Sequence, residues 1–293
     1  MLGRFRSRGL ILLYHRVAPP RNDPWSLCVS PDHFEQHLEV LRNVYRTRLD
    51  RIEPPRWRFR GGPSVAITFD DGYADNLHAA ARLLKRYDTP ATFFIATGYI
   101  GAARPFWWDQ LARIVFESNR SPAAESAGTK DAIHLALYQQ LQPLSDEVRR
   151  RSIDQMAASA GLAPSCASLD RALTLEELQA LAADDLFEIG AHTVTHPLLA
   201  AQPVATQRVE LKNSKTWLET FLDRPVTSFS YPYGGSQHYT AATVQAVRET
   251  GFSRACTTAR RFVRAGDQPW EWGRVHVPDL DGDGFQKLLH EFA

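Results

Sequence analysis

The chain has 293 residues, 44% of them hydrophobic and 11% aromatic, an ordinary soluble globular composition with enough apolar material for one large α/β domain or two small ones. With 34 Lys plus Arg against 33 Asp plus Glu the formal charge is +1, which excludes the basic excess that neutralises nucleic acid phosphates, so no nucleic acid partner is expected. Arginines cluster in the opening "GRFRSRG", which reads as a solvated tail and leaves weak peripheral contact with an anionic lipid surface open. The apolar stretch Leu10 to Tyr14 is too short for a signal-peptide core and runs into His15 and Arg16. No run approaches the ~18 apolar residues that span a bilayer. Cys28, Cys166 and Cys256 are far apart with no metal-type spacing, and they fit free thiols in a reducing compartment. A cytoplasmic location is therefore expected.

Leu10 to Tyr14 is instead expected to be a first strand. Ser30 and Pro31 then give an N-cap and a proline at the first helical position, followed by Phe34, Leu38 and Leu41 at helical spacing. His33 and His37 lie off that apolar face and are expected to meet solvent. "PSVAITFDD" is a buried strand by length and apolarity, and Leu77, Ala80, Ala81 and Leu84 share one face of the helix after it, with Asp75 as its N-cap. "PATFFIAT" is a third strand. Between about 101 and 173 the alternation stops: "ESNRSPAAESAGTKD" is loop-like between helical patterns, and the stretch reads as an insertion rather than a second domain. Thr174 and Glu177 have capping-box spacing ahead of the strand "LFEIGAHT". Further strands in "VTSFSYPYGG", "FSRACTTA" and "EWGRVHVP" alternate with helices in "ATQRVELKNSKTWLETFL", "YTAATVQAVRETG" and "FQKLLHEF". "DLDGDG" reads as a turn rather than a calcium loop. This order implies a parallel sheet covered by helices, able to close into a distorted (β/α) barrel of about seven strands that occupies residues 1–293 as one domain.

Function in such folds sits at the C-terminal ends of strands. Asp70 and Asp71 end one strand, and two adjacent carboxylates there are costly unless a positive partner compensates them. His192 and His196, four apart just beyond another strand, place two imidazoles on one side. Two histidines and one carboxylate with open positions suit a catalytic divalent ion, which would hold one aspartate ionised and leave its neighbour as a general base.

"TFDDGY", "HTVTHP" and "SYPYG", in that order, resemble the first three motifs of the polysaccharide deacetylase family, also called the NodB-homology or carbohydrate esterase 4 family. "LLYHRVAPP", "VSPDHFEQHLEVL" and "RPFWWDQL" resemble a subgroup encoded with glycan-assembly enzymes. The resemblance implies a NodB-like barrel, one divalent ion, zinc, held by Asp71, His192 and His196, and Asp70 as general base. It implies hydrolysis of an N-acetyl or O-acetyl group on a sugar in a glycan or in a lipid- or nucleotide-linked precursor, with a backbone N–H near Tyr233 stabilising the oxyanion. Two positions depart from the family pattern. Ser230 stands where an arginine commonly orients the base, and Arg274 or Arg16 is the candidate substitute. The late leucine-x-histidine motif has no secure match, since "LLH" at Leu288 to His290 lies in the last helix, so His15 is the preferred second catalytic residue and His276 the next. Tyr231, Tyr233, Arg274, His276 and Trp108 are candidate substrate contacts, the tryptophan because an aromatic face suits the apolar face of a pyranose. A deformylase or amidohydrolase acting on another amide, and a catalytically weak carbohydrate-binding protein, are the alternatives.

Overall fold

The computed structural model describes residues 8–44, 48–49, 52, 64–102, 104–117, 129–162, 170–264 and 266–291. Alternation governs it as the sequence predicts. Strand β1 (Arg8–Tyr14) is followed by the short pair β2 (Arg16–Val17) and β3 (Cys28–Val29), by helix α1 (Pro31–Glu39) and by β4 (Arg48–Leu49). Next come β5 (Ser64–Phe69), α2 (Arg82–Arg86) and β6 (Ala91–Ile95). Three helices follow, α3 (Trp107–Phe116), α4 (Lys130–Leu141) and α5 (Asp146–Ser159). Then α6 (Leu175–Ala182) leads to β7 (Phe187–Ala191), α7 (Val204–Leu222) to β8 (Ser228–Ser230), and α8 (Ala241–Glu249) to β9 (Arg254–Cys256). The short strands β10 (Val263–Arg264) and β11 (Val275–His276) and helix α9 (Gly282–His290) complete the order.

The main sheet runs β10-β1-β5-β6-β7-β8-β9, a path of seven strands curled into a half-barrel, with β4 beside β5 and β11 beside β1. All its pairings are parallel except β1 with β10. Trp272 bridges Cys256 at one end of the path while Val275 and His276 pair with Leu12 and Leu13 near the other, so residues 272–276 form the seam that brings the ends together. Parallel strands buried on both faces explain why the sequence shows continuous apolar runs instead of alternation. Every residue of β5 and β6 is buried.

The caps explain where helices begin. Ser30 Oγ accepts from the His33 N–H, and Thr174 with Glu177 forms a reciprocal capping box. Two local expectations are corrected. Asp75 precedes a π-helical stretch, Asn76–Ala81, but makes no side-chain cap; its carboxylate accepts from Arg16 Nε at 2.9 Å and from the Val17 N–H at 3.1 Å, tying the helix start to β2. His37 does not meet solvent. It is fully buried, hydrogen-bonded to the Leu280 carbonyl and stacked on Phe285, because α9 packs over α1, a contact between chain positions 243 or more residues apart that local periodicity does not reveal.

Helices α3 and α5 share a second apolar cluster, built on Phe106, Trp107, Trp108, Leu111 and Ile153 and joined to the barrel through Tyr73, Ala96 and Tyr99. The loop-like stretch expected between α3 and α4 falls on residues 118–128, and Cys166 on 163–169, outside the described residues. Among the described residues no helix is long and apolar enough to cross a membrane.

Candidate active site

Four strand ends build the site. Asp70 and Asp71 follow β5, His192 follows β7, Ser230 ends β8, and Arg274 precedes β11. The register is fixed by backbone bonds beyond the strands: the Asp70 N–H donates to the Tyr14 carbonyl, His192 N–H to Ile95, and Ala96 N–H to Asp71. The apolar runs that make the strands therefore also set where their polar ends meet.

Asp71, His192 and His196 are buried and offer one ligand atom each, all within 4.8 Å of one another. Asp71 Oδ1 lies 3.4 Å from His192 Nε2 and 3.5 Å from His196 Nε2, yet it accepts no well-formed hydrogen bond from the described residues. A buried carboxylate oxygen without a donor, facing two imidazole nitrogens, is a donor set that fits a divalent cation. His192 Nδ1 is 2.7 Å from the Ser230 carbonyl; it must donate there, which leaves Nε2 as the nitrogen facing Asp71. Burial pushes the His192 imidazole down, but Asp70 and Asp71 outweigh it and raise its pKa, while burial takes His196 down to about 3. A proton on His192 thus occupies, electrostatically, the place a cation would take.

The backbone is strained at these positions. Asp71 and His196 have φ of 75° and 52°, left-handed values that L residues avoid and that cost on the order of 1–3 kcal/mol each. The loop after His192 is held against that strain from three sides. Glu210 on α7 accepts from the Val194 and Thr195 N–H groups at 2.8 and 2.9 Å, and Arg149 on α5 donates to the Thr195 carbonyl at 2.9 Å. Gly98 donates to the Val194 carbonyl at 2.8 Å, and a Cβ at that glycine would lie 2.7 Å from the same oxygen. Gly98→Ala is accordingly expected to displace the loop and weaken divalent-ion affinity about 10–100-fold, the usual scale for disturbing the support of a ligand. Competition with a chelator measures it. Glu210 and Arg149 have no sequence signal; they sit on helices whose patterns show only packing faces.

Asp70 has a different partner. Arg274 donates to both its oxygens at 2.7 Å, and Ser230 Oγ bridges the pair, 2.7 Å from Arg274 Nη2 and 3.0 Å from Asp70 Oδ2. Arg274 also donates to the Thr257 carbonyl and to Thr68 Oγ1. Burial pushes the Asp70 carboxyl up, but the Arg274 guanidinium, then His192, hold it well below its ordinary range. The two adjacent acids are thus separated in role, one facing imidazoles and the other locked to a guanidinium. Arg274 was expected also to touch substrate; it is fully buried behind Asp70 and outside the cavity lining, so that expectation is corrected. Arg16 pairs with Asp75 and Asp170 instead of Asp70.

Above these residues lies a cavity of about 440 Å³. Asp70, Asp71, His15, His192, His196, His276, Trp108 and Tyr233 all line it. His15 Nδ1 is buried without a hydrogen-bond partner among the described residues, its ring 6.0 Å from that of His276. Burial lowers the pKa of His15, against the pull of Asp71 and Asp70, and takes His276 down to about 4. Trp108 packs on His196 with ring centres 4.6 Å apart, its indole N–H donating to Tyr73 Oη. Tyr233 has φ 62° and packs edge-on to His196. Tyr231 is corrected as a substrate contact: it is fully buried, stacks on Tyr239, donates to the Trp270 carbonyl and lies outside the cavity lining. His290 lies on the exposed side of α9, away from the cavity lining. Trp25, Tyr138, Gln139 and Gln142 also line the cavity and were not expected to; they come from a loop and a helix without motif character.

The chain belongs to the polysaccharide deacetylase family, whose model matches residues 59–122 and 149–255. It is 25% identical over 280 residues, 94% of this chain and 74% of the relative, to YxkH of Bacillus subtilis (strain 168), which carries a provisional polysaccharide deacetylase name. Among solved structures it is similar to IcaB from Ammonifex degensii, with a TM-score of 0.65 and 20% identity across 97% of this chain and 96% of the other. It is also similar to the Streptococcus pyogenes deacetylase PplD in complex with acetate, with a TM-score of 0.58 and 20% identity across 96% and 97% of the two chains. At such identity the likeness is one of fold.

Proposed function

We propose that the chain is a metal-dependent hydrolase that removes the acetyl group from an N-acetylated sugar of a glycan or glycan precursor. The observation that carries this reading is the buried Asp71–His192–His196 cluster set beside a separate, arginine-locked carboxylate in one cavity. When bound at the cluster, a divalent ion, for which the family resemblance implies zinc, would supply Lewis-acid polarisation of the acetamide carbonyl.

The chain's own residues have separable tasks. Asp70, kept ionised and aimed by the two-pronged Arg274 contact, is the group that takes the proton of the attacking water. The Tyr233 N–H, for which no protein acceptor is found among the described residues, suits the oxyanion as charge develops. His15, which lines the same cavity with His276 beside it, passes to the leaving nitrogen the proton that Asp70 has taken from the water, so that the base is restored as acetate and a free amine separate. Trp108, His196 and Tyr233 form an apolar corner that excludes water around an acetyl methyl group.

Release of acetate from an acetylated amino sugar, assayed together with release of formate from the matching formamide, tests the proposal. Acetate and a free amine in equal amounts are expected. Formate without acetate would assign a deformylase, and neither product with metal bound would assign a binding protein.

A further inference from the structure

The catalytic groups occupy only the floor of the cavity. One wall is made by Trp25, on the loop between β2 and β3, by Leu135, Tyr138 and Gln139 of α4, and by Gln142 at the C-cap of that helix. This wall is built to stay in place. Asp23 Oδ1 and Oδ2 accept from the Leu27 and Cys28 N–H groups at 2.8 and 2.7 Å, and Ser26 turns the chain with φ 52°, so the residues flanking Trp25 are pinned. The Trp25 and Tyr138 rings lie with centres 4.3 Å apart, and Tyr138 in turn stacks on Trp107 at 4.9 Å and 27°. The Trp25 indole N–H is buried with no protein acceptor among the described residues.

Two rigid aromatic rings with few rotatable bonds offer contact area at small entropic cost, and their faces match the axial C–H face of a pyranose. Gln139 in the last turn of α4 and Gln142 at its C-cap present amide donors and acceptors to the same space, the complement of ring hydroxyls. Among the described residues that line the cavity none is Lys or Arg, and Arg274, outside the lining, is already committed to Asp70. A phosphate or uronate held on this wall, away from the ion on the floor, would find no cationic side chain among the described lining residues.

We infer that Trp25, Tyr138, Gln139 and Gln142 form a subsite for an uncharged sugar ring next to the one being deacetylated, so that the chain takes a neutral oligosaccharide in preference to a nucleotide-linked sugar. This rests on the proposed function for what occupies the floor of the cavity; the wall is argued from its own residues.

The test is calorimetric titration of the zinc-loaded full chain with N,N′,N″-triacetylchitotriose, N-acetylglucosamine and UDP-N-acetylglucosamine, for the wild type and the variants Trp25→Ala, Trp25→Tyr and Tyr138→Ala, with metal content and circular dichroism reporting their integrity. The trisaccharide is expected to bind at least tenfold more tightly than either other ligand. Trp25→Ala and Tyr138→Ala are each expected to lose at least tenfold in trisaccharide affinity, while Trp25→Tyr, which keeps a ring, loses far less. Equal affinities in wild type and Trp25→Ala, tighter binding of the UDP-sugar, or no trisaccharide binding would each overturn the subsite. Acetate release is scored separately. Trisaccharide bound through Trp25 but never deacetylated overturns the proposed function and leaves the subsite standing; deacetylation unaffected by either alanine variant does the reverse.

Discussion

Asp71→Ala and His196→Ala each empty the metal site: elemental analysis that reads about one divalent ion per chain in the wild type reads near none in either variant. Three protein ligands are the minimum for a catalytic zinc, and no other His, Cys, Asp or Glu among the described residues joins the cluster to compensate. Lewis-acid stabilisation is worth several kcal/mol, so acetate release falls about a thousandfold. A folding defect is separated from metal loss by thermal melting. Zinc at 100 times its Kd stabilises the wild type by about 2.7 kcal/mol and shifts neither variant. Binding also displaces the proton that Asp70 and Asp71 favour on His192, so the wild type releases protons into a weakly buffered solution as zinc is added. Equal metal in all three proteins would remove the cluster from the mechanism.

Arg274→Ala is expected to be the most destabilising single change at the site. Asp70 and Arg274 are 3% and 1% exposed, and removing one partner leaves the other charge buried and unpaired, which costs about 3–5 kcal/mol. Chemical denaturation measures the loss, and Arg274→Lys, which keeps a charge but not the two-pronged contact, is the variant to use for kinetics. The pH dependence has a definite sign. The folded Asp70 carboxyl titrates below its unfolded value of about 3.9, so its stabilising contribution is full above that pH and disappears as the pH falls through the depressed folded value. Weakening the Arg274 contact raises the folded value, moving the acid limb of the pH–rate profile to higher pH in Arg274→Lys. An acid limb that stays put while turnover drops would mean that Arg274 does not set the ionisation of Asp70. Ser230→Ala removes only the bridging hydroxyl and is expected to cost about 0.5–1.5 kcal/mol.

The strands and the metal cluster were legible because each rests on short-range signals. Val65 to Phe69 is apolar and β-branched enough to be a buried strand on its own, and the acids follow directly. His192 and His196 are likewise attached to the end of "LFEIGA". What could not be read was which distant residue meets which. Arg274 was one of two candidates for Asp70, and Arg16, equally basic and also beside a strand, goes to Asp75 because β2 turns aside to pair with β3. His37 looked like a surface residue until α9 covered it. Tyr231 and Tyr233 are two apart in the same motif, yet the chain passes from extended at β8 to φ 62° at Tyr233, which sends one ring into the helical layer and the other into the cavity. Trp25 and α4 carry no motif, because a binding wall made of ordinary aromatic and amide side chains is defined by adjacency alone.

The seam at residues 272–276 has a consequence for how the protein matures. The cluster Asp71, His192 and His196 leaves the ribosome well before the seam does, and its supporting residues Gly98, Arg149 and Glu210 are also already made. The segment that joins β9 to β1 is the same one that delivers Arg274 to Asp70 and His276 to the cavity. Asp71, His192 and His196 are therefore all synthesised before the segment that gives Asp70 its guanidinium, and the pairing of Asp70 with Arg274 is complete only when the barrel closes.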